Sequence, residues 1–202
     1  MSGPRLLVLI TIAIAAMCAA IVAAIGPGPE AAHAVVRWTA RTSFVLFALT
    51  YVARPAAQLW PSPVTKPILA RRKWIGLGFA VSHLAHLFGI IAIAWPDPAA
   101  FVRSQDPTIG VAVATFIVLF AMAITSIEAV KRRMPRRAWN GLHKTGIHLA
   151  WIPFAFTYIG LATGAPGYIV PAVLVIAIAV VRGAAFVRAR RRAAAHKIKA
   201  PA

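Results

Sequence analysis

The sequence predicts an all-α fold: an integral membrane bundle of six transmembrane helices with both termini cytoplasmic. Three observations predict it. Hydrophobic residues make up 60% of the chain and charged residues 13%, against roughly 45–50% and about 25% in a soluble domain. The excess is gathered in runs near the ~20 residues that cross a bilayer core. Turn residues separate the runs, and Lys and Arg cluster in alternate gaps between them.

The first run, Leu6–Ile25, stops at Gly26-Pro27-Gly28-Pro29. Arg5, this run and Ala32-His33-Ala34 imitate a signal peptide with its cleavage site. An apolar stretch of ~20 residues exceeds the usual 7–15 of such a peptide, so a retained helix is expected. The second run, Val35–Val52, is followed by Pro61-Ser62-Pro63. The third, Trp74–Trp95, stops at Pro96-Asp97-Pro98, and the fourth is Thr108–Ile127. The fifth, Trp139–Leu161, precedes Gly164-Ala165-Pro166-Gly167 and contains Pro153, which is expected to kink it. The sixth, Tyr168–Val187, completes a transmembrane domain over residues 1–187 and leaves a basic cytoplasmic tail over 188–202. The longest loop is expected from about Ala53 to Lys73, too short to fold alone.

The net charge of +18 does not mark a nucleic-acid binder, because the charge sits between apolar runs where topology signals belong. Counted by loop, all Lys and Arg fall on one side except Arg37, Arg41 and Arg103. Three of the four acids, Glu30, Asp97 and Asp106, fall with those exceptions. The richer side is the cytoplasmic one, and the tail adds attraction to anionic membrane lipid. The single cysteine, Cys18, excludes an intrachain disulfide and a Cys-based metal site. Trp38, Trp60, Trp74, Trp95 and Trp139 mark run ends, as interfacial anchors do.

Of the six histidines, His33 and His196 fall in a loop and in the tail. The other four, His83, His86, His143 and His148, fall in the third and fifth runs, which point the same way through the bilayer. Ionisable residues inside a membrane mark function. At 1.5 Å per residue, His83, His86 and His148 lie roughly 14–18 Å in, and His143 roughly 6 Å in. His83 and His86 share a helix face, about 60° apart, whereas His143 and His148 are about 140° apart. Neutral imidazoles from facing helices suit the axial positions of a b-type haem. Gly76, Gly78, Gly89, Gly141 and Gly146 beside them allow the close approach that a flat macrocycle needs. The alternatives are interhelical hydrogen bonding, or a metal or transport role. No HExxH is present, and a proton-coupled transporter would carry buried Asp or Glu. A non-redox transporter or scaffold whose histidines pack or relay protons is the competing function.

Three stretches carry a family resemblance: Thr39–Trp60, an apolar helix with an Arg-Pro ending; Ala70–His86, "ARRKWIGLGFAVSHLAH"; and Ile124–Lys144, "ITSIEAVKRRMPRRAWNGLHK". Together they resemble the ferric reductase-like transmembrane family, and within it the MsrQ/YedZ subfamily of haem-binding membrane subunits. The resemblance implies haem b, one or two, with His86 and His143 at the family's ligand positions. The family's next histidine falls at Phe156; here His148 appears instead, and His83 is added. Depth then suggests His83 or His86 opposite His148, with His143 serving a second haem, propionates or a flavin such as FMN. Arg37 and Arg41 are candidates for the outer propionates, and Arg72, Lys73 and Lys144 for the inner ones. The resemblance further implies an electron path in a bacterial inner membrane. Electrons would come from a cytoplasmic flavin reductase or quinol and leave to an outer-side partner oxidoreductase, such as one repairing protein methionine sulfoxide. Without a GxGxxG motif the chain is expected to borrow its donor, as the electron-transfer subunit of an oxidoreductase.

Overall fold

A computed structural model describes residues 2–105 and 109–199, with side chains through residue 195. Asp106, the expected start of the fourth span at Thr108, and the side chains of His196, Lys197 and Lys199 lie outside the described residues. Among those described there are helices and no strands: α1 (Gly3–Ile25), α2 (Pro29–Leu59), α3 (Thr65–Ala94), α4 (Pro98–Arg103), α5 (Ile109–Ile124), α6 (Glu128–Arg133), α7 (Arg136–Leu149), α8 (Trp151–Ala162) and α9 (Ile169–Lys199), with a 3-10 turn at Pro166–Tyr168. Four stretches are long and apolar enough to cross a membrane: Gly3–Ile25, Thr65–Ala94, Arg136–Ala162 and Pro166–Ala195. Ile109–Ile124 is a shorter apolar helix. α2 has the length, but Arg37, Arg41 and Arg54 lower its hydropathy. The chain is therefore an all-α, multi-pass membrane protein, and many Val, Leu, Ile and Phe side chains on its long helices are exposed, as lipid-facing surfaces require.

The helices run past the apolar segments that the sequence marks. The expected long loop from Ala53 to Lys73 shrinks to residues 60–64. Ser62 explains the tight turn: its Oγ accepts the Thr65 and Val64 amides at 3.1 and 3.3 Å. Thr65 Oγ1 in return accepts the Ser62 amide at 2.9 Å. Such reciprocal capping starts a helix at once. α1 ends at Gly26, whose φ of 89° suits glycine alone. The expected Pro153 kink appears as a break at Ala150, between α7 and α8. Pro153 has no amide for the Leu149 carbonyl and its ring crowds that carbonyl, and Leu149 is the last residue of α7. α9 continues past Val187 into the basic stretch, to Lys199.

The chain divides into two compact units, Met1–Phe47 with Lys73–Pro153, and Ala48–Arg72 with Phe154–Ala202. In the first, Phe47 and Phe79 are fully buried, with ring centroids 5.5 Å apart. Glycines let its helices touch: a Cβ on Gly78 would meet Ile10 of α1 at 2.9 Å, and one on Gly89 would meet Val36 of α2 at 2.7 Å. A Cβ on Gly146 would collide with Met122 and Val118 of α5. Close backbone approach through small residues is how helices gain packing energy in lipid. In the second unit, Ala172, Val175, Ile178 and Ala185 form the buried stripe of α9. Pro55 inside α2 cannot donate to the Tyr51 carbonyl. Arg182 of α9 does so instead, Nη1 to O at 3.0 Å, with its guanidinium 4.5 Å from the Tyr51 ring centroid.

Candidate functional site

The interior of the first unit carries a polar seam between α2 and α3. Thr39, Ser43 and Ser82 are fully buried, which is tolerable in an apolar helix only when every hydroxyl is bonded. Ser43 Oγ donates to Ser82 Oγ at 2.9 Å, and Ser82 Oγ donates to the Thr39 carbonyl at 3.1 Å. Thr39 Oγ1 donates back to the Val35 carbonyl at 2.6 Å. The two α3 histidines attach to this seam. His83 Nδ1 lies 3.2 Å from Ser43 Oγ. His86 Nδ1 lies 2.9 Å from the Val36 carbonyl and 3.2 Å from Thr39 Oγ1.

These bonds fix where the ring protons are. A carbonyl can only accept, so His86 Nδ1 must donate to Val36. Ser82 spends its proton on the Thr39 carbonyl and Ser43 spends its own on Ser82, so Ser43 can only accept from His83. Both imidazoles therefore carry hydrogen on Nδ1. No acid lies on α3, and an unpaired charge buried in an apolar span is costly, so the rings are neutral and each Nε2 holds a lone pair. This is the form in which histidine ligates a metal, with the opposite nitrogen tied to a carbonyl or hydroxyl. The rings stack at 5.4 Å and 20°. Phe116 of α5 lies 4.6 Å from His83 and Phe79 lies 5.2 Å from it.

His143 is held differently. Thr125 Oγ1 donates to the Ala121 carbonyl at 2.7 Å and so accepts from His143 Nε2 at 3.2 Å. Trp139 stacks on the His143 ring at 4.1 Å, and its Nε1 donates to the Thr125 carbonyl at 3.0 Å. His143 Nε2 is thus turned toward Thr125, just past the end of α5. His148 is exposed; two residues on from buried Gly146, it leaves α7 about 200° around the helix, on the face turned from α5.

Arg37 and Arg41 are both exposed. At 100° per residue they leave α2 on the side away from Val36, Thr39 and Ser43, and Arg41 lies over the Trp38 ring at 4.9 Å. They do not join the histidine pair. Phe156, where the resemblance would place a further histidine, is 72% exposed. Among the described residues no three His, Cys, Asp or Glu gather into a metal-binding group. The structure thus brings together His83 and His86, and adds Thr39, Ser43, Ser82 and Phe116, which the sequence reading passed over. Small hydroxyl residues inside apolar runs were the available signal for the first three; Phe116 carried none.

A multi-pass, all-helical membrane protein with neutral histidines pinned inside its helices is the class these features define. The model of the family described as ferric reductase like transmembrane component matches residues 35–154. That is more than half of the chain and includes all four intramembrane histidines, and the chain belongs to this family. No curated protein and no solved structure matches it.

Proposed function

We propose that the chain is a membrane b-type cytochrome, the electron-transfer subunit of an oxidoreductase. In this reading six helices span a bacterial inner membrane with both termini cytoplasmic. A cytoplasmic flavin reductase or quinol is the donor, and an outer-side partner oxidoreductase is the acceptor. The MsrQ/YedZ subfamily, and with it repair of methionine sulfoxide in proteins, is the particular version that the sequence resemblance favours.

One observation carries the proposal. His83 and His86 sit side by side on α3, each with Nδ1–H tied to α2, which leaves Nε2 as the electron-pair donor. Haem, when bound, supplies the one-electron centre. The chain's own residues supply the ligand nitrogens, hold their tautomer, and exclude water with Phe79 and Phe116. Two stacked rings on one helix face cannot flank a single iron, so one of them needs a partner from another helix, and His148 is the residue we propose. His143 is committed to Thr125, which favours one haem over two. Arg37 and Arg41 leave α2 on the face turned from these histidines, so propionate pairing by them is not part of the proposal. FMN is a candidate only for the cytoplasmic side, near His143.

Proton relay, the competing reading, fits the seam poorly. The chain from His83 through Ser43 and Ser82 ends on a backbone carbonyl, which has no proton to pass on. A reduced-minus-oxidised spectrum of protein expressed with haem supplementation tests the proposal. Soret and α-band changes are expected, and a featureless difference spectrum rejects it.

A further inference from the structure

The hydroxyl pair behind His83 has a polarity that the haem reading does not require and that the packing alone does not explain. We infer that Ser43 and Ser82 are positioning residues: Ser82 takes the Ser43 proton, which obliges Ser43 to accept from His83 Nδ1 and so presents His83 Nε2 as an electron-pair donor. Ser82 acts without touching the imidazole ring, through a two-step chain of 2.9 and 3.2 Å contacts. The chain is anchored on the Thr39 carbonyl at 3.1 Å, and reversing it would take the Ser82 proton away from that carbonyl.

The neighbouring ring is held by other means. His86 donates to a backbone carbonyl, Val36 O, which no side-chain substitution removes. Two histidines three residues apart are thus set by different devices, His83 by side chains and His86 by a main-chain carbonyl with Thr39 Oγ1 beside it. The first can be switched off while the second stays intact. A hydroxyl or carbonyl behind a ligating imidazole raises its basicity, and a more basic ligand favours the oxidised metal.

This inference rests on the haem reading for its use but not for its first measurement. The full-length protein, labelled with 15N-histidine and held haem-free in lipid nanodiscs, reports the tautomer of each ring by nitrogen chemical shift. Wild-type His83 and His86 are expected as Nδ1–H alone. Ser82→Ala frees the Ser43 proton for His83 Nδ1, so His83 is expected to populate the Nε2–H form while His86 does not change. Ser43→Ala is expected to release His83 likewise, and Ser43→Thr to restore it. A wild-type His83 protonated on Nε2 overturns the inference without any variant. So does a His83 tautomer unmoved in both alanine variants. With haem bound, Ser43→Ala and Ser82→Ala are expected to weaken haem affinity about tenfold and to raise the midpoint potential, with Ser43→Thr returning both. An unchanged affinity and potential in both alanine variants overturns the ligand-positioning role. If no haem binds to any form, the haem reading fails, and the nitrogen shifts still decide what Ser43 and Ser82 do to His83.

Discussion

His86 and His143 occupy the two positions where the family resemblance expects ligands, and each is bonded to a threonine, Thr39 on α2 and Thr125 just past the end of α5. They nevertheless present opposite nitrogens. His86 gives Nδ1–H to Val36 and Thr39; His143 gives Nε2–H to Thr125. The difference arises from the partners. At α2 a main-chain carbonyl lies within reach and fixes the donor. At α5 the hydroxyl has already spent its proton on Ala121 and waits on the other side of the ring, with Trp139 stacked to hold that orientation. A histidine in the expected place is therefore not yet a ligand in the expected state. The neighbouring helix decides which nitrogen is offered.

The largest effect that would break this comparison is on haem content. His86→Ala, which strips away the ring stacked against His83, is expected to lower haem content more than His143→Ala, as read by pyridine haemochrome per protein. The reverse result would mean that His143 abandons Thr125 when the cofactor binds. Next come the glycines behind each site. Gly89→Ala presses a Cβ onto Val36, whose carbonyl orients His86. It is expected to cost about 1–3 kcal/mol, the usual range for overpacking, and to lower haem affinity as well. Gly146→Ala presses on Met122 and Val118 and is expected to destabilise without changing haem affinity. Thermal denaturation in detergent beside a haem titration separates the two. Thr125→Val removes one hydrogen bond from His143 and is expected to cost about 1 kcal/mol, with no change in the haem spectrum. Smallest of all, Glu128→Gln breaks the exposed contacts to Lys131 and Arg132 at 3.7 and 3.9 Å. Its expected cost is below ~0.5 kcal/mol by the same denaturation assay.

The sequence carried the helices and the histidines well, because both depend on local chemistry. Apolar runs and turn residues located the long helices but not the short α4 and α6, and Pro153 marked the break between α7 and α8. Helix ends were less legible. The stretch from Ala53 to Lys73 reads as a loop because its polarity ends the apolar run, whereas reciprocal capping by Ser62 and Thr65 lets α2 and α3 approach within five residues. The site was half legible. Spacing alone put His83 and His86 on one face. Their shared seam needed Thr39 and Ser43 of α2 to come opposite Ser82 of α3, a contact across about forty residues that no local pattern encodes. Arg37 and Arg41 stood out by violating the charge bias, but which way they leave α2 depends on which face of α2 meets α3, and only packing reveals that.

Pro55 has a consequence for the order in which the chain is made. It deprives the Tyr51 carbonyl of its helical donor, and the substitute is the Arg182 guanidinium, 131 residues later. Arg188 likewise reaches the Leu59 carbonyl at the end of α2. The last turns of the second helix are thus completed by groups that do not exist until α9 has left the ribosome. Until then these carbonyls must be served by water or lipid headgroups, which ties the maturation of this end of α2 to the arrival of α9.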